Sequence, residues 1–439
     1  MLSGCLRNLV AAQETGNATV NKQTEVIVQP SCEDEYDPVL LPVDVALARI
    51  AEAITPISDI EWVPVRGALS RILAEDVISP VDVPNHTNSA MDGYAVAASD
   101  LLAADLKVIG TAWAGSAYTG PVGPGECVRI MTGAVIPDRC DTVVMQEQAE
   151  RIDDRVRLAP GQKPGQHVRR AGEDLAAGEI ALVHGRYLLP SDLGMVASLG
   201  IGELAVLRKP RIAFFSNGDE LRSIGETLAL GDVYDSNRYT LHGMLTRLGV
   251  EFIDLGVIPD DRDRIRETFH RAAAIADVVI TSAGASVGDA DYVKEVLDEI
   301  GEVKFWKLAM KPGRPLSFGK IDHAYFFGLP GNPVSVMVTF YQFVLPALRQ
   351  LMGEENWAPL RLPARTLNRL KKRPGRTEYQ RGYLVQDESG DLTVHSTGDQ
   401  GSGILSSMSQ ANCFIVLDID SDGAQVGDMV TVEPFAGLV

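Results

Sequence analysis

Residues 277–291 read DVVITSAGASVGDAD, and their pattern decides the fold class. A β-branched run predicts a buried strand, a loop of small residues follows it, and apolar residues then recur at helical spacing from 293 to 300. Residues 211–220 and 324–333 repeat the order of a strand followed by a polar or glycine-rich loop. This alternation predicts a doubly wound α/β domain at residues 210–353. Ligands bind such sheets outside the carboxyl ends of the strands.

The loop within residues 277–291 combines an anion cradle with a cation site. Its small residues let backbone N–H groups approach an anion, and the start of the next helix adds its positive end. Asp289 and Asp291 could hold a hard cation such as Mg²⁺, or one of them could simply cap the helix that begins near 291. One such loop is more often a plain turn, whereas three at one sheet edge, two of them with carboxylates, favour a binding site.

Composition limits the classes of partner. With 40 Lys and Arg against 59 Asp and Glu, the formal charge of the 439-residue chain is −19. This charge argues against nonspecific binding to nucleic acid or to an acidic membrane, and an anionic ligand would need a local basic site. Residues 304–320 supply one, with five basic residues and no acid. Residues 361–381 carry eight basic residues and one acid, and here a solvated charged face is an equally good interpretation.

The cysteines and the apolar runs predict a cytoplasmic protein. The five cysteines are scattered and form no CxxC pair, so neither a disulfide framework nor a zinc knuckle is indicated. No apolar run reaches transmembrane length. No basic and apolar segment precedes Cys5, and we therefore expect no export.

The fold class that we predict is multidomain, α/β plus β. Its parts are a flexible tail at 1–38, an extended stalk domain formed by 39–79 and 174–209, a β-domain inserted at 80–173, the α/β domain at 210–353, and a compact C-terminal β-barrel or sandwich, assigned as a barrel, at 354–439. The tail lacks apolar periodicity. The inserted segment is dense in Gly, Pro and Val and contains short alternating runs such as residues 126–130.

A series of short motifs carries a family resemblance. The chain has neither a P-loop sequence nor a strand that leads into GxGxxG with a later acid, so two common nucleotide sites are excluded. Its own motifs are NSAMDGYAV (88–96), RIMTGA (129–134), VMQE (144–147), RRAGED (169–174), SNGDEL (216–221), YDSN (234–237), the loop at 282–291, KLAMKPG (307–313), GLPGNPVS (328–335) and GSGILSS (401–407). In this order they resemble the molybdopterin molybdenumtransferase family, which includes the MoeA type and the gephyrin E domain. The resemblance covers roughly residues 40–435.

This resemblance implies an activity and an assembly. Such proteins insert molybdenum from molybdate into adenylylated molybdopterin and release AMP, assisted by Mg²⁺ or a similar ion. The resemblance also implies a homodimer whose clefts combine the α/β domain of one subunit with other domains of its partner. A molybdopterin adenylyltransferase and molybdoenzymes are the further partners that it suggests, while no nucleic acid or membrane is expected.

The same resemblance assigns roles to candidate site residues. Carboxylates cannot bind anions directly, so the acids are expected to position Mg²⁺ or its water shell; they are Asp92, Glu220, Asp235, Asp289 and Asp291. Basic groups would neutralise phosphate and molybdate, and these are Lys307, Lys311 and Arg314. Hydroxyl donors are Thr132 and Ser282, the substrate cradle includes Gly284, Ser286 and Gly288, and the loop shape depends on Pro330 and Pro333.

Some assignments keep alternatives. Arg169 and Arg170 could reach the cleft across a dimer, or they could pair locally with Glu173 and Asp174. Without the resemblance, Asp92 before a glycine would be a plain turn residue. Ala283 stands where this family usually has glycine, and it would be strained if that position needs a positive φ.

Two other functions compete with molybdenum insertion. One is a scaffold protein that keeps the fold without the chemistry, and the other is the related adenylyltransferase step. The retained acids and lysines favour an enzyme, and the extra β-domains argue against the adenylyltransferase. The sequence does not distinguish molybdate from tungstate.

Overall fold

The structure is a computed structural model, and it describes residues 40–282, 292–354 and 357–437. The predicted tail at 1–38 lies outside these ranges. So does the loop at 283–291, and with it Ala283 and the candidate site residues Gly284, Ser286, Gly288, Asp289 and Asp291.

The first part of the described chain is mostly β-structure. Its elements are α1 Val43–Ala53, β1 Ile60–Pro64, β2 Val77–Ile78, β3 Asn88–Ser89, β4 Gly93–Val96, β5 Leu106–Ala112, β6 Glu126–Ile130, β7 Thr142–Met145, β8 Ala149–Ile152, β9 Arg155–Leu158 and β10 Val168–Arg169. Six strands form one sheet in the order β7-β4-β6-β5-β9-β8, and β3 pairs with β10. Alternate residues of β4 bury on opposite faces, Ala95 on one and Tyr94 and Val96 on the other. The short alternating runs of this segment therefore fold as a sheet that is covered on both sides.

The chain then returns to pair with the two strands that begin the described chain. The elements are β11 Ile180–Leu182, α2 Pro190–Ser198 and β12 Glu203–Leu207. β12 pairs antiparallel with β1, and β11 with β2. Pro190 is the first residue of α2, where its missing N–H costs nothing, and Gly200 follows the helix with φ 74°.

The next part alternates strands and helices. Its elements are β13 Arg211–Asn217, β14 Leu221–Arg222, β15 Val233–Tyr234, α3 Ser236–Leu248, β16 Glu251–Ile258, α4 Arg262–Ile275, β17 Val278–Ser282, α5 Tyr292–Ile300, β18 Gly301–Lys307, β19 Met310–Lys311, β20 Pro315–Ile321, β21 Ala324–Leu329, α6 Pro333–Thr339 and α7 Leu345–Leu351, with a π-helical segment at Phe340–Val344 between the last two. Six strands form one sheet in the order β16-β13-β17-β21-β20-β18.

Helices cover both faces of this sheet. Phe214 and Ile280 pack with α3 and with the apolar helix at 333–351, whereas Phe215 and Val279 pack with α4 and α5. Successive strand residues thus serve opposite layers, as a doubly wound sheet requires. The helix Pro333–Leu351 is long and apolar enough to cross a membrane, but 78% of its most apolar window is buried inside the protein, which is typical of a core helix.

One part of the sheet is antiparallel. β20 pairs antiparallel with both β18 and β21, so the sheet is mixed. In β18, apolar and charged side chains alternate, as in a strand with one solvated face. Val303 and Phe305 are half-buried, whereas Glu302 and Lys304 are exposed. We had interpreted this segment only as a basic cluster.

The C-terminal part contains a closed β-barrel. Its elements are β22 Leu362–Thr366, β23 Leu370–Lys371, β24 Thr377–Gln386, β25 Leu392–Ser396, α8 Leu405–Gln410, β26 Cys413–Leu417, β27 Gly423–Ala424 and β28 Met429–Pro434. The sheet runs β24-β25-β22-β28-β26, and β26 pairs again with β24 to close it. The interior is apolar, with Val394, Ile415 and Val432 among its buried residues. The barrel prediction is therefore confirmed.

Candidate functional site

Three parallel strands end side by side. Ser216 of β13 lies beside Ser282 of β17, and Ser282 lies beside Leu329 of β21. The hydroxyls of Ser216 and Ser282 are 3.1 Å apart and buried. The polar loops that follow these strands therefore leave the sheet at one edge, as the sequence predicted.

The strand register brings the basic segment to the same edge. Lys307 lies opposite Pro315, Ser317 opposite Gly328, and Gly328 beside Thr281. Because β18 and β21 run in the same direction, the carboxyl end of β18 joins the carboxyl ends of the parallel strands. Residues 307–314 therefore leave the sheet where β17 and β21 end.

The loop after β13 presents Glu220. Asn217 Nδ2 donates to the carbonyls of Ile258 and Pro259, which ties this loop to the end of β16. Gly218 has φ 149°, and a Cβ at this position would lie 2.6 Å from Glu220 Oε2. Glycine is thus required for the Glu220 side chain to lie against the loop. Glu220 is exposed, and its carboxylate makes no ion pair with the described residues.

Asp235 is placed differently from Asp92 and Glu220, which are exposed. It is the residue before α3, its Oδ1 accepts from the Arg238 N–H at 3.2 Å, and it is only 3% exposed. A carboxylate that caps a helix has a structural role that does not require a metal ion. The side chain of Asn237, two residues on, donates to the Gly331 carbonyl at 2.8 Å and so joins α3 to the loop after β21.

The two prolines of that loop take the predicted positions. Pro330 is buried directly after β21, and Pro333 is the first residue of α6. The N–H of Val334 donates to the Ser402 carbonyl at 3.1 Å, so a loop of the C-terminal part packs against the start of α6.

The cations of the basic segment are not equally available. Lys311 Nζ lies 3.6 Å from Glu378 Oε1, and Glu378 is nearly buried in the barrel. Lys307 is exposed, and its ammonium has no ion pair among the residues that the structure covers. Arg314 is half-buried, and its carbonyl accepts from the Leu308 N–H at 2.7 Å. The segment therefore keeps positive charge facing solvent at Lys307, while Lys311 partly neutralises a barrel acid.

A second group of predicted residues lies in the first part of the described chain, in and beside its six-stranded sheet. Asp92 Oδ1 accepts from the Thr132 N–H at 2.7 Å and from its hydroxyl at 2.8 Å. These two bonds, with the charge of Arg129, hold the pKa of Asp92 below its usual value. Arg169 lies opposite Asn88, so three motifs that are distant in sequence meet here.

Arg169 and Arg170 do not pair locally with acids. Both are exposed, and within the described ranges neither guanidinium makes an ion pair. Glu173 Oε2 instead accepts from the backbone N–H of Arg170 at 2.8 Å. The described contacts connect neither Asp92 nor Arg169 to the edge where β13, β17 and β21 end.

Sequence reasoning missed Arg381 and Asn237. Arg381 is 1% exposed and donates to the Gly401 carbonyl and to Ser407 Oγ, so it fixes the loop that contacts α6. Burial lowers its pKa to about 10. An arginine inside a predicted strand is a signal that the sequence did offer.

Metal binding has partial support in the described residues. No group of three or more His, Cys, Asp or Glu side chains within 40–282, 292–354 and 357–437 could hold an ion. The exposed carboxylate of Glu220 is nevertheless the ligand type that Mg²⁺ prefers. The residues fit such an ion only if further oxygen ligands come from elsewhere.

Three family models match successive parts of the chain. Residues 41–200 match the MoeA N-terminal region (domain I and II), 220–350 a probable molybdopterin binding domain, and 363–435 the MoeA C-terminal region (domain IV).

Individual relatives extend this agreement. A molybdopterin molybdenumtransferase of Haemophilus influenzae is 43% identical, over 91% of this chain and 100% of the relative. Gephyrin of Dictyostelium discoideum is 35% identical, over 89% of this chain and 62% of gephyrin. A crystal structure of the molybdopterin biosynthesis moeA protein from Pyrococcus horikoshii OT3 is 31% identical with a TM-score of 0.79, and covers 90% of this chain and 100% of that one. The chain therefore belongs to the MoeA family of molybdopterin molybdenumtransferases.

Proposed function

We propose that this protein inserts molybdenum from molybdate into adenylylated molybdopterin and releases AMP. The observation that carries the proposal is the sheet edge, where β13, β17 and β21 end side by side and where the basic segment at 307–314 and the loop with Glu220 begin. A substrate with phosphate groups and an incoming dianion require positive charge beside a group that can organise a cation. The full-length similarity to a relative named for this activity supports the same reaction.

The basic residues bind the anions. The exposed ammonium of Lys307 is the strongest candidate for phosphate or molybdate, because no acid among the described residues offsets it. Lys311 contributes less net charge, since Glu378 lies 3.6 Å away. The Ser282 hydroxyl ends β17 beside the Ser216 hydroxyl, and these two groups can donate to an anion oxygen that displaces their contact.

Mg²⁺ would be held by Glu220 together with the acids predicted at 289 and 291, and Asp92 is a further candidate ligand. When bound, the ion would neutralise phosphate charge and stabilise the departing AMP. Glu220 itself needs only to present its carboxylate at the surface, as its exposure allows.

We further propose a homodimer in which the partner completes the cleft. Asp92 is hydrogen-bonded to Thr132, and Arg169 pairs with Asn88 of the same motif as Asp92; we call these three residues the Asp92 cluster, and no described contact of a single chain joins it to the sheet edge. A partner subunit would bring its own cluster to that edge. We place the reaction in the cytoplasm, with an adenylyltransferase supplying the substrate and molybdoenzymes receiving the product.

The deciding experiment mixes the purified protein with adenylylated molybdopterin, Mg²⁺ and molybdate, and measures AMP. We expect AMP release that requires both molybdate and the metal. The 35% identity to gephyrin keeps one alternative, a scaffold protein of the same fold. Absence of AMP release with authentic substrate would favour that alternative.

A further inference from the structure

A nearly buried carboxylate lies beside one of the lysines that we assign to anion binding. Lys311 Nζ is 3.6 Å from Glu378 Oε1, and the side chain of the lysine is 49% exposed, whereas that of the glutamate is only 7% exposed. A negative charge at this distance opposes the binding of phosphate or molybdate. Glu378 thus carries the opposite charge to the one that an anion site requires.

The backbone holds Glu378 in this place. β19 pairs in parallel with the start of β24, which sets Lys311 beside Glu378. The Thr377 N–H also donates to the Ala309 carbonyl at 2.8 Å. The other oxygen of the carboxylate is held as well, because Gln380 Nε2 donates to Glu378 Oε2 at 3.0 Å. The barrel therefore places a negative charge beside the basic segment at the sheet edge.

A neighbouring buried lysine does not need this carboxylate as a hydrogen-bond partner. Lys372 Nζ donates to the carbonyls of Arg373 and Ile419 at 3.2 Å and to that of Ser421 at 2.7 Å. An ammonium group has three N–H donors, so these three bonds use them all. Burial lowers the pKa of Lys372, and the charge of Glu378 opposes that shift only in part. The hydrogen bonds of Lys372 therefore do not explain why Glu378 is an acid.

Glu378 affects an anion at Lys311 in two opposite ways. It restrains the lysine side chain, but an ion pair of 3.6 Å with a half-exposed lysine is a weak restraint. It also repels the anion itself. An oxyanion in contact with Lys311 would lie roughly 7 Å from Glu378, and a nearly buried charge is screened less than an exposed one. Repulsion is therefore the larger of the two effects.

We propose that Glu378 is a specificity-determining residue that limits the affinity of Lys311 for anions. The proposed reaction, on which this inference rests, binds anions at this edge and releases one of them as AMP. Without the nearby acid, Lys311 would hold such anions more tightly and would slow their departure. The energy of repulsion is proportional to the charge of the anion, so Glu378 acts more strongly on dianions than on monoanions.

Two oxyanions of the same shape and different charge test this assignment. Molybdate is a tetrahedral dianion and perrhenate is a tetrahedral monoanion, and the binding of each is measured by isothermal titration calorimetry at one low ionic strength. Glu378→Gln removes the charge and keeps an oxygen that accepts from Gln380. Even with the dielectric constant of water, loss of a unit charge roughly 7 Å away should tighten molybdate binding about sevenfold and perrhenate binding about threefold.

A second background shows whether the effect is exerted at Lys311. In Lys311→Ala, the anion loses the contact that places it beside Glu378, and Lys307 provides the remaining affinity. Adding Glu378→Gln to this background should therefore change the molybdate affinity by less than about twofold.

Glu433→Gln is the matched control. Glu433 is a fully buried acid of the same barrel, where it accepts from Gln342 Nε2 at 2.8 Å and from Arg361 Nε at 2.9 Å. This variant also removes a buried charge from the barrel, but it should bind both oxyanions as the original protein does. Thermal melting shows which variants are folded, and Glu378→Ala is a second variant that lacks the charge.

The outcomes separate this proposal from the general function. Molybdate affinity that is unchanged or weaker in the folded Glu378 variants overturns it, and so does an equal gain for both oxyanions or a gain that persists with Lys311→Ala. If neither Glu378 variant folds, the carboxylate serves stability and the proposal fails. If the original protein binds molybdate but releases no AMP, the proposed reaction fails while the role of Glu378 stands. If it binds no molybdate and Glu378→Gln creates no binding, the anion site and this proposal both fail.

Discussion

At the scale of single residues, the charges differ in how completely the protein itself neutralises them. The guanidinium of Arg208 forms two bonds of 2.9 Å to Asp277, at the residue before β17. Lys311 has Glu378 nearby, while Glu220 and Lys307 have no ion pair with the described residues. Paired charges are expected to serve stability, and the two without partners are expected to serve the ligand.

Asp277 should contribute to stability in a pH-dependent way. Burial alone would raise its pKa, but the bonds from Arg208 and from the Arg211 N–H outweigh burial and lower the pKa below 3.8. Since the folded pKa lies below the unfolded one, the stabilisation is complete above the unfolded pKa and is lost as pH falls through the folded value. Asp277→Asn should reduce the free energy of unfolding at pH 7 by about 1.5–3 kcal/mol, measured by urea denaturation.

The difference between this variant and the original protein should shrink below pH 3.8. Glu251→Gln is the control, because its pair with Arg211 is half-exposed on both sides and should be worth less than about 1 kcal/mol. A pH-independent difference for Asp277→Asn would show that packing, not the ion pair, causes the loss.

Glu220 and Lys307 should respond in opposite ways to added Mg²⁺. If Glu220 holds the cation, Glu220→Gln should raise the Mg²⁺ concentration for half-maximal turnover roughly tenfold, and excess metal should restore part of the rate. Lys307→Ala should weaken molybdate or phosphate binding by about 1.5–3 kcal/mol, and added Mg²⁺ should not restore it. A Mg²⁺ titration of AMP release distinguishes the two. Identical responses would contradict this division of roles.

At the scale of elements, the loop after β13 depends on one glycine. Gly218 has φ 149°, and an added Cβ would meet the Glu220 carboxylate. Gly218→Ala should lower the free energy of unfolding by roughly 1–3 kcal/mol and should also impair Mg²⁺ dependence in the manner of Glu220→Gln.

Gly243 provides the comparison for that substitution. It lies within α3, is exposed, and has free space where a Cβ would stand. Gly243→Ala should therefore stabilise the protein by about 0.5–1 kcal/mol, since alanine favours the helix. Equal urea midpoints for the two alanine variants would show that the backbone at 218 is not strained by a side chain.

Local sequence patterns predicted most helices and strands but few of the contacts between them. Residues 126–130 form β6, as predicted, and the helical spacing of apolar residues correctly placed α5. Such patterns depend only on residues that are close in sequence. Contacts between distant residues depend instead on strand register. Examples are the contact of Lys311 with Glu378 and the cross-strand register that places Lys307 at the same sheet edge as Thr281. The burial of Asp235 likewise arises from the packing of α3, and the neighbouring residues in the sequence do not predict it.

At the scale of the whole molecule, the candidate residues fall into two groups within one chain. One group lies at the sheet edge with Glu220 and Lys307, and the other is the Asp92, Thr132 and Arg169 cluster in the first part. A symmetric dimer could unite them, because each subunit would then give its cluster to the other and receive one in return. Light scattering at micromolar concentration should accordingly report twice the 47.3 kDa chain mass.

Mixed dimers test whether the two groups act across subunits. Asp92→Asn and Glu220→Gln should each reduce AMP release when every subunit carries the change. In a mixed dimer, one cleft would combine the intact edge of one chain with the intact cluster of the other, and the second cleft would carry both changes. Random pairing makes half of the dimers mixed, so co-expressed variants should recover about one quarter of the original activity. Two affinity tags isolate the mixed species, in which about half should return. Recovery requires exchange of intact halves, because no chain in the mixture holds both residues. A mixture as inactive as its parents would show that each site is built within one chain.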